Sequence, residues 1–195
     1  MSLFRRSRKP KEQGLPVLNT ERLVLRTFDP NDAVDVYAYA QSDKVGPMAG
    51  WAPHKNLGES RAMVDDFIAA GDVWAVVEKK TGHVIGTVSL RSDKKRRVQG
   101  SLQMGYALGE KYWGQGFATE ACSEVLRYAF EELDCPVLSV NHLPQNQKSR
   151  RVIKKLGFIC EGTLRHAFVL PDGTAADLVT YSLLKTEYEA LKGAR

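Results

Sequence analysis

The sequence predicts one mixed α/β (α+β) domain, and three features carry that expectation. Strand-like and helix-like patterns alternate along most of the chain, from residue 21 to residue 191. Residues 101–141 read strand, glycine-bearing loop, long apolar-striped helix, strand, a crossover unit whose two strands should be parallel neighbours. With 195 residues, 43% of them hydrophobic and 26% charged, the chain can bury one sizeable core and has an ordinary globular composition.

Taken in order, residues 21–28 alternate polar and apolar side chains, as a first strand does. Asp29-Pro30-Asn31-Asp32 then supplies cap and first-turn residues for a helix whose stripe is Ala33, Val36, Tyr37 and Ala40. Residues 46–57 are rich in Gly, Pro and aromatic residues and read as a loop. A helix is expected over 58–70 with Ala62, Met63, Phe67 and Ile68 turned inward. Strands follow near 73–79 and 83–91, joined at Thr81-Gly82, and a basic turn over 93–97 leads to a strand over 101–108. The long helix should start near Ala118 or Thr119. It carries Ala118, Ala121, Cys122, Val125, Leu126, Ala129, Phe130 and Leu133 on one broad face. Pro136 closes it and residues 137–141 form the next strand. A short helix spans 146–156, ended by Gly157 at the position after its C-cap. Strands near 158–169 and 175–184 join at Pro171-Asp172-Gly173, and residues 186–191 add a last turn or two of helix. There is no internal repeat and no linker after residue 15.

The net charge of +5 is mostly local. Residues 1–14 hold Arg5, Arg6, Arg8, Lys9 and Lys11 against Glu12, a share of +4 that leaves the body near +1. This segment lacks apolar periodicity and reads as a disordered basic tail, 1–14, ahead of a domain over 15–195. The sharper reading is a weak electrostatic tether to RNA or a ribosome. No apolar run reaches the roughly 18 residues of a membrane span, and the charged start lacks the apolar stretch of a secretory leader. Cys122, Cys135 and Cys160 are scattered without metal-ligand spacing and read as reduced thiols of a cytoplasmic protein.

The most informative stretch is Tyr112-Trp113-Gly114-Gln115-Gly116-Phe117-Ala118-Thr119. A tight loop between a strand and a helix N-terminus leaves several backbone N–H groups free and pointing one way, with the helix dipole adding positive character. Such a place binds phosphate without basic side chains, and Gly114 and Gly116 let the backbone approach a diphosphate closely. By itself the Gly-x-Gly pattern before a helix is also satisfied by a plain structural turn.

Two motifs in the right order add a resemblance. Residues 112–121, continuing to Glu120-Ala121, resemble the acyl-CoA pyrophosphate loop of the GNAT superfamily of N-acetyltransferases, and more narrowly its Rim-type branch acting on ribosomal-protein N-termini. Asn146-Gln147-Lys148-Ser149-Arg150-Arg151-Val152-Ile153-Lys154-Lys155-Leu156-Gly157-Phe158 with Glu161-Gly162 resembles that branch's second motif. Thr20-Glu21-Arg22-Leu23 and the stretch from Asp172-Gly173 to Asp177 and Tyr181 agree with it. The resemblance implies a mixed sheet of about seven strands, flanked by about four to five helices, whose fourth and fifth strands splay into a V. It implies acetyl-CoA in that V, with Met104, Tyr106 and Leu108 along its pantetheine arm, and needs no metal. The backbone amides around Gly114, Gln115, Gly116, Ala118 and Thr119 would hold its pyrophosphate, and Asn146 and Ser149 would lie nearby. The acceptor is then an amine, a protein N-terminus above all; monomer and homodimer both stay open.

Acetyl transfer needs a neutral amine, donors for the carbonyl oxygen and a proton for the departing thiolate. Many superfamily members carry Tyr seven residues after the Asn of the second motif; here that residue is Ile153, and the Rim-type branch offers Ser149 instead. Asn146 with Ser149 is equally a good helix N-terminus. The family often has Glu two residues before the Gly-Tyr of the fourth strand, where this chain has Gln103, which cannot take a proton at neutral pH. An α-amine of pKa about 8 is roughly a tenth neutral at pH 7, a lysine amine only about one part in 2,500, a gap of roughly 3 kcal/mol. A site without a strong base therefore suits an α-amine. Trp51, His54, Gln103, Asn141 and His142 are the acceptor-pocket candidates, with a packing alternative for Trp51, His54 and His142. Arg165 and Asp177 are expected to pair across the last hairpin. Acetylation of a small amine, a non-catalytic acyl-CoA-binding module and a nucleic-acid role for the tail are the competing readings.

Overall fold

A computed structural model describes residues 14–193, so the basic tail lies outside the described residues. Eight strands form one mixed sheet: β1 (Leu18–Asn19), β2 (Leu23–Arg26), β3 (Val73–Glu78), β4 (Val84–Ser92), β5 (Leu102–Leu108), β6 (Val137–His142), β7 (Ile159–Val169) and β8 (Ala175–Leu184). Their spatial order is β1-β2-β3-β4-β5-β6-β8-β7. The additional strand is the two-residue β1, so the expected fourth and fifth strands are β5 and β6. The helices are α1 (Ala33–Ala40), α2 (Gly46–Ala49), α3 (Leu57–Ala70), α4 (Phe117–Arg127), α5 (Gln147–Lys155) and α6 (Lys185–Gly193).

Alternation along β3 explains the layering. Trp74 and Val76 turn toward α4, Val73, Ala75 and Val77 toward α1 and α3, and all five are buried. The central strands are covered on both faces, which is why they read as near-continuous apolar runs. The amphipathic face of α4 is as expected, with Ala121, Cys122, Val125, Leu126, Ala129 and Phe130 buried. The helix starts one residue earlier than the pattern indicated, so Phe117 joins the buried face, and it ends in a π turn over Tyr128–Glu132.

Four local expectations are corrected. Residues 46–49 form the short α2, with Pro47 in its first turn and Gly50 closing it at φ 99°. In α1 it is Tyr39, not Tyr37, that is buried. In α3 the inward stripe is Leu57, Ser60, Met63, Val64 and Phe67, as expected for Met63 and Phe67, while Ala62 and Ile68 face out. Asn56 is the N-cap of this helix, its Oδ1 accepting from Glu59 N–H at 3.1 Å. Asp177 accepts from His166 N–H at 2.8 Å rather than pairing with Arg165.

The feature that makes a site is a failure of pairing. β5 and β6 are parallel, as the crossover rule requires, but they share only the register pairs Leu102–Leu138, Gln103–Ser139 and Met104–Val140. Beyond Met104 they separate, although β5 stays paired to β4 through Leu108 and β6 to β8 through His142.

Candidate active site

The divergence of β5 from β6 opens a cleft of about 1200 Å³. That exceeds the roughly 300–1,000 Å³ of drug-sized ligand pockets and suits an elongated ligand. One wall is the free edge of β5. Gly109 N–H bonds Ile85 O at 2.9 Å, so by alternation the odd-numbered β5 residues address β4. Met104 therefore addresses β6, and beyond it Tyr106 and Leu108 aim their backbone groups toward the cleft. The Leu108 carbonyl is taken by the Trp113 indole N–H at 2.8 Å.

At one end stands the glycine loop. Gly114 and Gly116 have φ of 75° and 85°, in the left-handed region where glycine is favoured. Among the described residues no acceptor pairs with the backbone N–H groups from Gly114 to Thr119; the first intrahelical bond is Glu120 N–H to Gly116 O. A β-carbon on Gly114 would meet nothing within 4 Å, so the loop is open to a ligand. The Gln115 side chain turns away and donates to Lys111 O at 2.7 Å, leaving only its main chain at the loop.

The sequence reading missed two supports of this loop. Arg22 reaches from the start of β2 to donate to Gln115 O at 3.0 Å, pairs with Glu120 at 2.6 Å and stacks 4.3 Å over Phe117. Thr20 also donates to Glu120, at 2.6 Å. Burial pushes the Glu120 carboxyl up, but these hydrogen bonds outweigh it and hold the group below its ordinary value. The second support is basic. Lys148, Arg151 and Lys155 project from α5 into the cleft lining, with the Lys148 ammonium 3.6 Å over the Trp113 ring. Their spacing of three and four residues was legible as one helical face.

In mid-cleft, Tyr106 Oη lies 2.7 Å from Ser149 Oγ and 3.1 Å from Ser149 O. Burial pushes the Tyr106 phenol well up, so it stays protonated. Asn146 Oδ1 caps Ser149 N–H at 3.0 Å, and its Nδ2 reaches Met48 O across the cleft mouth at 3.4 Å. Ile153 is fully buried in the core. Cys122 lies buried near Tyr106, and burial raises its thiol far above neutrality, so it is inert.

At the other end Gln103, Asn141 and His142 line the cleft with Lys95, Phe168 and Leu178. His142 is 5% exposed, its Nδ1 2.8 Å from Leu143 O and its Nε2 3.4 Å from Tyr181 Oη. The carbonyl can only accept, so Nδ1 carries a proton. Phe168 sits where a β-carbon on Gly50 would intrude to 2.6 Å, which brings the β7–β8 hairpin against the end of α2.

Two candidates stand elsewhere. Trp51 and His54 line a separate groove along α3 with Met63, Phe67 and Arg91. His54 Nδ1 is 2.7 Å from Ser60 Oγ, and burial lowers its pKa. Trp51 packs against Gly46, its indole N–H buried without an acceptor among the described residues. The structure does not bring either one to the cleft.

The family model described as "Acetyltransferase (GNAT) domain" matches residues 22–159, which span the glycine loop, β5, β6 and α5. The chain belongs to the GNAT acetyltransferase family. Among GNAT relatives, "Uncharacterized N-acetyltransferase YoaA" of Bacillus subtilis (strain 168) is 30% identical over 177 residues, covering 87% of this chain and 97% of the relative. "[Ribosomal protein uS5]-alanine N-acetyltransferase" of Escherichia coli (strain K12) is 25% identical over 193 residues, covering 94% and 96%. The solved structure of a GCN5-related N-acetyltransferase from Brucella melitensis superposes with a TM-score of 0.80 at 22% identity, over 92% of this chain and 83% of that one. The protein is therefore a GNAT-type N-acetyltransferase, an enzyme whose acceptor is an amine. Among the described residues no helix is long and apolar enough to cross a membrane.

Proposed function

We propose that this GNAT enzyme moves the acetyl group of acetyl-CoA to the N-terminal α-amine of a protein, of the ribosomal-protein type. One observation carries the reading: the unpaired N–H groups of residues 114–119 open onto the same cleft as the Tyr106–Ser149 hydroxyl pair. The donors there suit a diphosphate, and Lys148, Arg151 and Lys155 add positive charge beside them. The cleft's length suits the extended arm of a coenzyme A thioester. Bound acetyl-CoA supplies an activated acyl carbon and a sulfur that must leave with a proton.

The chain's residues then divide the work. The outward β5 amides of Tyr106 and Leu108 offer hydrogen bonds along the arm and to a carbonyl oxygen. Ser149 faces the cleft and relays to the departing sulfur the proton that the attacking amine releases; the Tyr106 phenol, kept protonated by burial and hydrogen-bonded behind it, orients that hydroxyl. Asn146 fixes the Ser149 backbone, so capping and catalysis are compatible roles for one turn of α5. Gln103 cannot act as base, which favours an acceptor already neutral in useful amount, hence an α-amine over a lysine side chain. The relative acting on ribosomal protein uS5 supports the target class.

Calorimetry with coenzyme A, followed by mass-spectrometric assay of acetyl transfer to α-amine and ε-amine peptides, tests the reading. Binding with preferential α-amine acetylation is expected. Absence of coenzyme A binding, or equal kcat/KM on both amines from pH 6 to 9, would overturn it.

A further inference from the structure

The end of the cleft that holds Gln103 also carries a cation, Lys95. Lys95 stands in the turn between β4 and β5, and that turn is fastened from below. Its backbone N–H donates to Asp93 Oδ1 at 2.9 Å. Asp93 is 5% exposed and accepts from Ser139 Oγ of β6 at 2.6 Å. Arg96 adds an ion pair to Asp93 at 3.2 Å, without hydrogen-bond alignment, and a second one to Glu161. The side chain of Lys95 is thereby launched from an anchored backbone toward the apex of the V, where β5 and β6 begin to part.

There it meets an amide cluster. With its amide turned so that oxygen faces donors and nitrogen faces acceptors, Asn141 donates to Thr180 Oγ1 at 2.9 Å and accepts from Lys95 Nζ at 3.0 Å. The same Asn141 oxygen accepts from Gln103 Nε2. Both of its lone pairs are then engaged. Gln103 Oε1 and the remaining ammonium hydrogens of Lys95 have no partner among the described residues. One acceptor and one cation are left, on two side chains that share a single Asn141 oxygen.

The surrounding charge is one-sided. Asp43 is the one carboxylate among the described residues lining the cleft, against Lys44, Lys95, Lys148, Arg151 and Lys155. Lys44 is paired with Glu110 at 2.7 Å, and Glu161 is already held by Arg96. A polycationic amine would meet Lys95 with like charge and no compensating acid. An amine with a nearby carboxylate would match both free groups, its N–H on Gln103 Oε1 and its carboxylate on Lys95.

We infer that Lys95, positioned by Asn141 and Gln103, selects acceptors whose amine lies beside a carboxylate and disfavours basic ones. This deepens the acetyl-transfer reading above and rests on it. The anion can come from an acidic residue in the first two positions of a protein chain or from a free dicarboxylic amino acid.

The test measures kcat/KM at saturating acetyl-CoA for peptides beginning Ala-Glu or Ala-Lys, for free glutamate and for spermidine. Wild type, Lys95→Arg, Lys95→Ala and Lys95→Glu are compared. Because Lys95 is partly solvated, we expect a preference of about fivefold for the acidic over the basic peptide. Lys95→Arg retains it, Lys95→Ala removes it, Lys95→Glu reverses it, and it shrinks at high ionic strength. Turnover confined to glutamate would support the same chemistry with a small-molecule source, and turnover confined to the peptides assigns it to chain termini. An unchanged preference in Lys95→Glu, with turnover intact, overturns the inference alone. No transfer to any amine by the wild type overturns the acetyl-transfer reading and this inference with it.

Discussion

The roles proposed for Ser149 and Gln103 each make a prediction. With Ser149 as the proton donor, Ser149→Ala should lower kcat by about a hundredfold while leaving the KM for acetyl-CoA nearly unchanged. Tyr106→Phe, which removes only the hydroxyl behind Ser149, should cost less, about tenfold in kcat, in a thiol-release assay under the same conditions. Gln103 leaves deprotonation to the acceptor itself. For an α-amine peptide, kcat/KM should then rise about tenfold per pH unit below pH ~8 and flatten above it. A plateau reached below pH 7 would reveal a protein base that Gln103 cannot be. Ser149 could be named from its motif, whereas Tyr106 as its partner could not, since the two lie 43 positions apart and meet only across the cleft.

The loop between β5 and α4 is held as an element by β2, through Arg22 and Glu120. The Glu120 carboxyl is held below its ordinary 4.5, so the unfolded state takes up its proton first as pH falls. Its contribution to stability is therefore complete above pH ~4.5 and is lost as pH drops through the folded value. Arg22 is 42% exposed at its side chain, so solvent screening limits the pair to about 1 kcal/mol or less. Urea unfolding should show Glu120→Gln destabilised at pH 7, with the difference from wild type shrinking below pH 4.5. A Gly116→Ala change strains a left-handed residue by about 1–2 kcal/mol. It also brings a β-carbon within 3.3 Å of Arg22 Nη2. Coenzyme A affinity by calorimetry should fall along with stability. At this scale the helices were readable where a single face is apolar, as in α4. In α1 the expected face held except at Tyr37, and in α3 it held at Met63 and Phe67 but not at Ala62 and Ile68, because packing against neighbouring elements decided which of several similar residues turned inward.

For the whole molecule, ligand binding couples to the fold because the cleft is walled by both halves of the sheet. Coenzyme A at a hundred times its Kd should add about 2.7 kcal/mol and raise Tm by roughly 5–10 °C in a thermal scan. A ligand confined to a surface patch would also raise Tm, but hydrogen exchange should localise the protection to residues 104–108 and 114–119. The sequence alone determined the α/β class, the parallel β5–β6 crossover, the glycine loop and the family. Each of these is written in local periodicity or in residues close together along the chain. The tertiary structure alone decided which of the candidate side chains share the cleft. It left Trp51 and His54 on a groove along α3, and it brought Lys95, Gln103, Asn141 and Thr180 together. The reason is geometric: β5 and β6 part after three register pairs, and which distant side chains face each other across that gap depends on strand divergence that no local pattern encodes.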